Sequence, residues 1–124
     1  MKKILFIEDE RNLQKSFSEF FQSKGFQFFS AFNGEEGLEL AKKEKPDLIL
    51  LDIILPKKDG VSVLKEIKTD PDLKDIPVII LTNLEDIEKV SETMSLGAKA
   101  YLVKLENSLF DIWEKVKGLF EEIQ

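Results

Sequence analysis

The chain has no cysteine and no histidine among its 124 residues. The first absence excludes disulfides, thiolate zinc sites, iron–sulfur clusters and thiol nucleophiles. The second excludes an imidazole base, a Ser-His-Asp triad, a histidine metal ligand and a phosphohistidine carried on this chain. Any chemistry here runs on carboxylates, lysines and hydroxyls. Long apolar runs are missing as well. Leu48–Leu51 and Val78–Leu81 fall far short of the ~20 residues that a membrane span needs. Lys2 and Lys3 precede an apolar Ile4-Leu5-Phe6-Ile7, but that run is too short for a signal peptide and Glu8-Asp9 follow at once. The start therefore reads as the mature N-terminus of a cytoplasmic protein that makes no membrane contact. Positive charge is in deficit, with 18 Lys and Arg against 24 Asp and Glu for a net −6. That balance disfavours direct binding to nucleic acid.

What is present is a globular pattern, 43% hydrophobic. Short apolar runs alternate with amphipathic stretches. Ile4–Ile7 reads as a strand buried on both faces; Leu13, Phe17, Phe20 and Phe21 then recur at helical spacing, with Asp9 as the expected N-cap and Gly25 as the stop. Phe26–Phe32 reads as a second strand, followed past Asn33-Gly34 by a helix over about Glu35–Lys43 with Leu38 and Ala41 inward. Leu48–Leu51 is the strongest buried-strand signal and runs straight into Asp52. A third helix carries Val61, Leu64 and Ile67. A fourth strand, Val78–Leu81, ends at Thr82, and a fourth helix has Ile87, Val90 and Met94 on one face. Ala100–Val103 is the fifth strand, and Ser108 with Asp111 has capping-box spacing for a last helix with Leu109, Ile112, Val116, Leu119 and Ile123 inward. Five β-α units predict a parallel sheet covered on both faces. One domain, 1–124, uses the whole length and leaves nothing for an output domain.

In an open parallel sheet, ligands bind beyond the carboxyl ends of the strands. Glu8 and Asp9 follow the first strand, Asp52 the third, Thr82 the fourth and Lys104 the fifth. Singly, each has an ordinary reading: a helix cap, a solvated strand end, a surface lysine. Together they put three carboxylates, a hydroxyl and an ammonium at one edge. Two carboxylates 4 Å apart repel by about 4 kcal/mol at an effective dielectric of 20, so the cluster calls for a cation. An all-oxygen donor set suits Mg²⁺. Carboxylates, a hard cation, a lysine and a hydroxyl suit phosphoryl transfer, with Asp52 as the candidate nucleophile.

These residues resemble the receiver domain of two-component response regulators. The resemblance rests on Glu8-Asp9, on Asp52 with Pro56 and Asp59-Gly60, on Thr82, and on Gly97-Ala98-Lys99-Ala100-Tyr101-Leu102-Val103-Lys104, and it covers the full length. It implies a flavodoxin-like five-stranded parallel sheet, order 2-1-3-4-5, with five helices. It implies that Asp52 accepts a phosphoryl group from a phosphohistidine on a sensor kinase or phosphotransfer protein. Glu8, Asp9, Asp52 and the backbone carbonyl of Ile54 would hold Mg²⁺, and Lys104 would pair with the phosphoryl group. Thr82 and Tyr101 would be the switch pair that remodels the surface of the fourth helix, fifth strand and fifth helix for a downstream protein partner. A monomer or weak dimer is expected, with no enzymatic activity beyond the domain's own phosphorylation and dephosphorylation.

The sequence departs from the pattern at several positions. Leu105 follows Lys104 where a cis proline is usual, so a trans bond and a differently shaped loop are expected. Asn83 replaces a small residue and is placed either to crowd the phosphoryl site or to hydrogen-bond to it. Lys58 adds positive charge near the site. Ile54 and Leu84 are apolar and cannot orient an attacking water, which predicts slow self-dephosphorylation. Two other functions compete: a receiver-fold binding module that needs no phosphorylation, and a Mg²⁺-dependent small-molecule phosphatase. The second is disfavoured because Ile54 stands where haloacid-dehalogenase-type enzymes carry a second Asp.

Overall fold

The three most apolar strands of the sequence lie side by side in the middle of a parallel sheet, where both faces are covered. The computed structural model describes residues 1–83 and 87–123. Its elements run β1 (Lys3–Ile7), α1 (Arg11–Ser23), β2 (Gln27–Ala31), α2 (Gly34–Glu44), β3 (Leu48–Leu51), α3 (Gly60–Thr69), β4 (Val78–Thr82), α4 (Ile87–Ser95), β5 (Ala100–Val103), a 3₁₀ turn (Lys104–Glu106) and α5 (Leu109–Ile123). The strand order is β2-β1-β3-β4-β5 and every pair is parallel. This is the flavodoxin-like order expected from the sequence.

Alternate side chains of each strand enter two different cores, as the pleat requires. Leu5, Ile7, Ile49, Leu51, Val78 and Ile80 pack with Leu38 and Ala41 of α2 and Val61, Leu64 and Ile67 of α3. Ile4, Phe6, Leu48, Leu50, Ile79 and Leu81 pack on the other face with Phe17 and Phe21 of α1 and Ile112, Val116 and Leu119 of α5. Each such aliphatic or aromatic side chain contributes roughly 1.5–3 kcal/mol when fully buried. Phe17 and Phe21 are core, and Phe20, Phe26 and Phe28 pack half-buried against it: Phe6 stacks on Phe17 at 4.5 Å between centroids, and Phe21 on Phe28 at 5.9 Å. Trp113 sits half-buried against Phe20, edge to face.

Among the described residues, the helix ends follow the sequence signals except at the start of α1. Asn33 Oδ1 accepts the Glu36 N–H at 2.9 Å, Asp59 Oδ1 accepts that of Ser62 at 2.9 Å, and Ser108 and Asp111 cap each other's backbone N–H reciprocally. Gly25 and Gly97 take the left-handed conformation (φ 89° and 107°) just past α1 and α4. The exception is Asp9, which does not cap α1. Glu10 is the N-cap residue and makes no side-chain cap bond. The chain first turns back so that the Glu10 N–H donates to the Glu8 carboxylate at 3.2 Å, which delays the helix to Arg11 and leaves Asp9 exposed.

The stripe Ile87, Val90 and Met94 lies on α4 as expected, but only Val90 of the three is half-buried. Ile87 is 79% and Met94 42% exposed, while Thr93 is fully buried. The helix is rotated so that Thr93 faces the protein, and its hydroxyl is satisfied by the carbonyl of Val90 at 2.7 Å. After β5 the chain follows the expected trans path. There is no cis bond among the described residues, and Lys104–Glu106 form the 3₁₀ turn.

Candidate functional site

β1 and β3 are central neighbours, paired from Ile4↔Leu48 to Ile7↔Leu51. Their ends therefore bring Glu8 and Asp52 together. The Asp52 N–H donates to the carbonyl of Ile7 at 3.1 Å, which extends the pairing one residue and fixes the Asp52 backbone. β4 lies on the other side of β3, and β5 beyond it, so Thr82 and Lys104 arrive at the same edge. An open cleft of about 550 Å³ results, lined by Glu8, Asp9, Glu10, Asp52, Ile54, Thr82, Asn83 and Lys104. Tyr101, the expected partner of Thr82 in the switch, does not line this cleft. It is half-buried and packed against the α2–α3 core.

Carboxylate oxygens of Glu8, Asp9 and Asp52 lie within 4.8 Å of one another. Glu8 and Asp52 are buried and Asp9 is exposed, so one carboxylate faces solvent above two that do not. The Lys104 ammonium bridges the buried pair, donating to Asp52 Oδ2 at 2.8 Å and to Glu8 Oε1. Asp52 Oδ1 accepts the Ile53 N–H at 2.7 Å. Burial pushes the Glu8 pKa up, the hydrogen bond from Lys104 pulls it partly back, and the neighbouring Asp52 charge raises it further; the net direction is up. Burial alone would lower Lys104, but the hydrogen bonds and charges of Asp52 and Glu8 outweigh it and raise the pKa. Three carboxylates thus share this edge with one lysine.

Two further residues shape the edge. Gln14 is buried on α1, and its Nε2 donates to the carbonyls of Phe6, Glu8 and Ala31 at 2.9, 3.1 and 3.0 Å. It pins the ends of β1 and β2 and the turn that carries Glu8 and Asp9. Sequence reasoning passed it over. The available signal was a polar residue in register with Phe17 and Phe21, three and seven positions on, on the buried face of a helix. Gly60 opens α3 directly against the phosphoacceptor candidate: a Cβ there would lie 2.2 Å from the Asp52 carbonyl oxygen and 2.6 Å from Ile53 Cα. That close approach accounts for the glycine of Asp59-Gly60. Lys58, expected to add charge near the site, instead pairs with Glu66 on α3. Leu84 lies outside the described residues. Asn83 lines the cleft, but its Oδ1 accepts the N–H of Leu105 at 3.0 Å.

A family model for the response regulator receiver domain matches residues 4–114, and the chain belongs to that family. It is therefore a receiver domain of two-component signalling, a phosphoacceptor class whose members work with sensor kinases or phosphotransfer proteins and bind a divalent metal at an acidic pocket. Sporulation initiation phosphotransferase F of Bacillus subtilis is 36% identical over 103 residues, covering 83% of this chain and 82% of that protein. Transcriptional regulatory protein CrdR of Helicobacter pylori is 36% identical over 121 residues, 98% of this chain but 56% of the relative, so this chain spans little more than half of that regulator. Among solved structures, the Mn²⁺-bound form of response regulator Rcp1 superposes with a TM-score of 0.81 at 34% identity, covering 96% of this chain and 91% of that one. No helix among the described residues is long and apolar enough to cross a membrane.

Proposed function

We propose that residues 1–124 act as one phosphorylatable receiver unit and that Asp52 is its phosphoacceptor. The observation that carries this reading is the Lys104 bridge: one ammonium holds the buried Asp52 and Glu8 together at the sheet edge, with Asp9 in reach. An Asp52 carboxylate oxygen attacks the phosphorus of a phosphohistidine presented by a partner. The new O–P bond forms as the N–P bond breaks, and the imidazole leaves with the electron pair. The chain has no histidine of its own, so the donor is a separate group on a sensor kinase or phosphotransfer protein.

The donor set is all oxygen and fits a hard divalent ion, Mg²⁺ in this reading, held by Glu8, Asp9, Asp52 and the backbone carbonyl of Ile54. When bound, it neutralises charge that builds on the transferring phosphoryl oxygens. Lys104 supplies a cation to the same oxygens, and the Thr82 hydroxyl supplies a donor at the end of β4. In this reading Tyr101 of β5 follows the movement of Thr82 and so alters the α4–β5–α5 face. Ile87 and Met94 of α4, Leu105 of the turn and Phe110 of α5 are exposed, which supports docking of a downstream protein by a monomer or weak dimer in the cytoplasm.

Acetyl phosphate with Mg²⁺ tests the assignment by intact mass. One phosphoryl group is expected on the wild type and none on Asp52→Asn. Metal binding without any mass shift refutes the reading and leaves a binding module that needs no phosphorylation.

A further inference from the structure

β4 and β5 run in register to Thr82↔Val103, where the ladder ends. Beyond that point the two chains part, one into Asn83 and the other into the Lys104–Glu106 turn. A side-chain bond crosses the gap: Asn83 Oδ1 accepts the Leu105 N–H at 3.0 Å. Each member of this bond adjoins a residue aimed into the cleft, Asn83 next to Thr82 and Leu105 next to Lys104. Packing does not hold the Leu105 end, because that side chain is 85% exposed. Nor does the turn itself hold it firmly, since its backbone closure from the Asn107 N–H to the Lys104 carbonyl is 3.4 Å long. Asn107 adds a side-chain bond to the carbonyl of Val103 at 2.9 Å, which ties the two ends of the turn together but leaves the Leu105 N–H to Asn83. The two positions that depart most from the family pattern are thus bonded to each other.

We infer that Asn83 is a positioning residue. Its amide oxygen fixes the backbone just past Lys104, so that the ammonium is already aimed at Asp52 when a phosphoryl group arrives. The inference rests on the reading of Asp52 as the phosphoacceptor and adds the element that sets Lys104 for it. It differs from metal holding, because Glu8, Asp9 and Asp52 are placed by β1 and β3 rather than by this bond.

The test compares wild type, Asn83→Ala, Asn83→Asp and Leu105→Pro. Three quantities are measured: hydrogen exchange of the Leu105 amide, Mg²⁺ affinity, and affinity for beryllofluoride in saturating Mg²⁺. Asn83→Ala should speed Leu105 exchange about tenfold or more and weaken beryllofluoride about fivefold, in line with the loss of one hydrogen bond, with Mg²⁺ affinity unchanged. Asn83→Asp keeps an acceptor and should restore Leu105 protection. Proline has no N–H, so adding Asn83→Ala to Leu105→Pro should cost no further beryllofluoride affinity. Equal Leu105 protection or equal beryllofluoride affinity in Asn83→Ala and wild type overturns the inference; so does Mg²⁺ affinity falling in step with beryllofluoride. Should Leu105→Pro not fold, the Ala and Asp variants decide the matter alone. Failure of the unsubstituted protein to bind beryllofluoride is a separate result, which overturns the phosphoacceptor reading itself and the role of Asn83 with it.

Discussion

Replacing Gly60 by alanine should damage both stability and the site, because the added methyl meets backbone and nothing that can rotate away. Its Cβ would stand 2.2 Å from the Asp52 carbonyl oxygen, 2.6 Å from Ile53 Cα and 3.0 Å from the Asp52 carbonyl carbon. Ordinary contact begins near 3.4 Å, so α3 or the strand end must move by about 1 Å. The Gly60 N–H also donates to the carbonyl of Ile53 at 2.7 Å, and that bond stretches with the shift. Overpacking typically costs 1–3 kcal/mol, and a clash confined to backbone belongs at the upper end, about 3 kcal/mol. With an unfolding entropy of about 2.1 cal/mol/K per residue, the 124 residues give roughly 0.26 kcal/mol/K, so Tm should fall by about 11 °C. Because the displaced atoms belong to Asp52, beryllofluoride affinity should fall in the remaining folded protein as well. Gly118 provides the control. It lies inside α5 with nothing within 4 Å of its would-be Cβ, so Gly118→Ala should gain up to about 1 kcal/mol, or about 4 °C, and leave the site alone. Thermal melts and beryllofluoride titrations of the two variants check both halves. A Gly60→Ala protein that melts within about 2 °C of wild type and binds the mimic equally well refutes the reasoning.

Two further outcomes follow from the site. Mg²⁺ at ten times its Kd should stabilise the fold by about 1.4 kcal/mol, a Tm rise of about 5 °C in a thermal melt, and no rise refutes metal binding at the carboxylates. The gain should be smaller at acidic pH. Burial raises the folded-state pKa of Glu8 above the ordinary 4.5, so the metal-free fold is helped below that value and loses this help as pH rises through the folded value. The aspartyl phosphate should also be long-lived, since the side chain of Ile54 is 64% exposed at the cleft and offers no group to orient water. Decay of the phosphorylated protein followed by intact mass, with a lifetime of seconds, would refute that.

The sheet was legible because β1, β3 and β4 are buried on both faces, and a short, continuous apolar run between turn signals suits a strand covered on both sides. Strand order and the converging strand ends then followed from the resemblance and from the geometry of parallel sheets. The errors have a common physical source: side-chain choices made in three dimensions. Asp9 is the better N-cap by residue type, but the Glu8 carboxylate captures the Glu10 N–H and shifts the helix start to leave Glu10 at the cap. The stripe Ile87–Val90–Met94 marks α4 correctly, but its period does not say which side is most buried, and that place goes to Thr93, whose hydroxyl finds its acceptor one turn back. Lys58 lies near the site in sequence and pairs with Glu66 in space. Gln14 was invisible for the opposite reason. A lone glutamine on an amphipathic helix carries no chemical motif, and only the three carbonyls converging on its Nε2 give it a role.

Charge counting at the sheet edge shows what the one lysine leaves unbalanced. Glu8, Asp9 and Asp52 sum to −3 and Lys104 contributes +1, leaving the edge at −2 before any ligand arrives. A divalent cation held by these oxygens brings the sum to zero. On the proposed reading, converting the Asp52 carboxylate to an acyl phosphate then replaces one negative charge by roughly −1.5 to −2, so the edge becomes anionic again by about half to one charge. Lys104 is already hydrogen-bonded to Asp52 and needs no large rearrangement to meet that charge, whereas Glu8 must share or lose its half of the bridge. The neutral donors at the end of β4 are then the groups left to answer the new oxygens. Thr82 and Asn83 occupy that strand end, and Asn83 is tied by its side chain to the residue after Lys104. On the proposed reading, a change of about one charge at Asp52 is thereby felt jointly at the ends of β4 and β5.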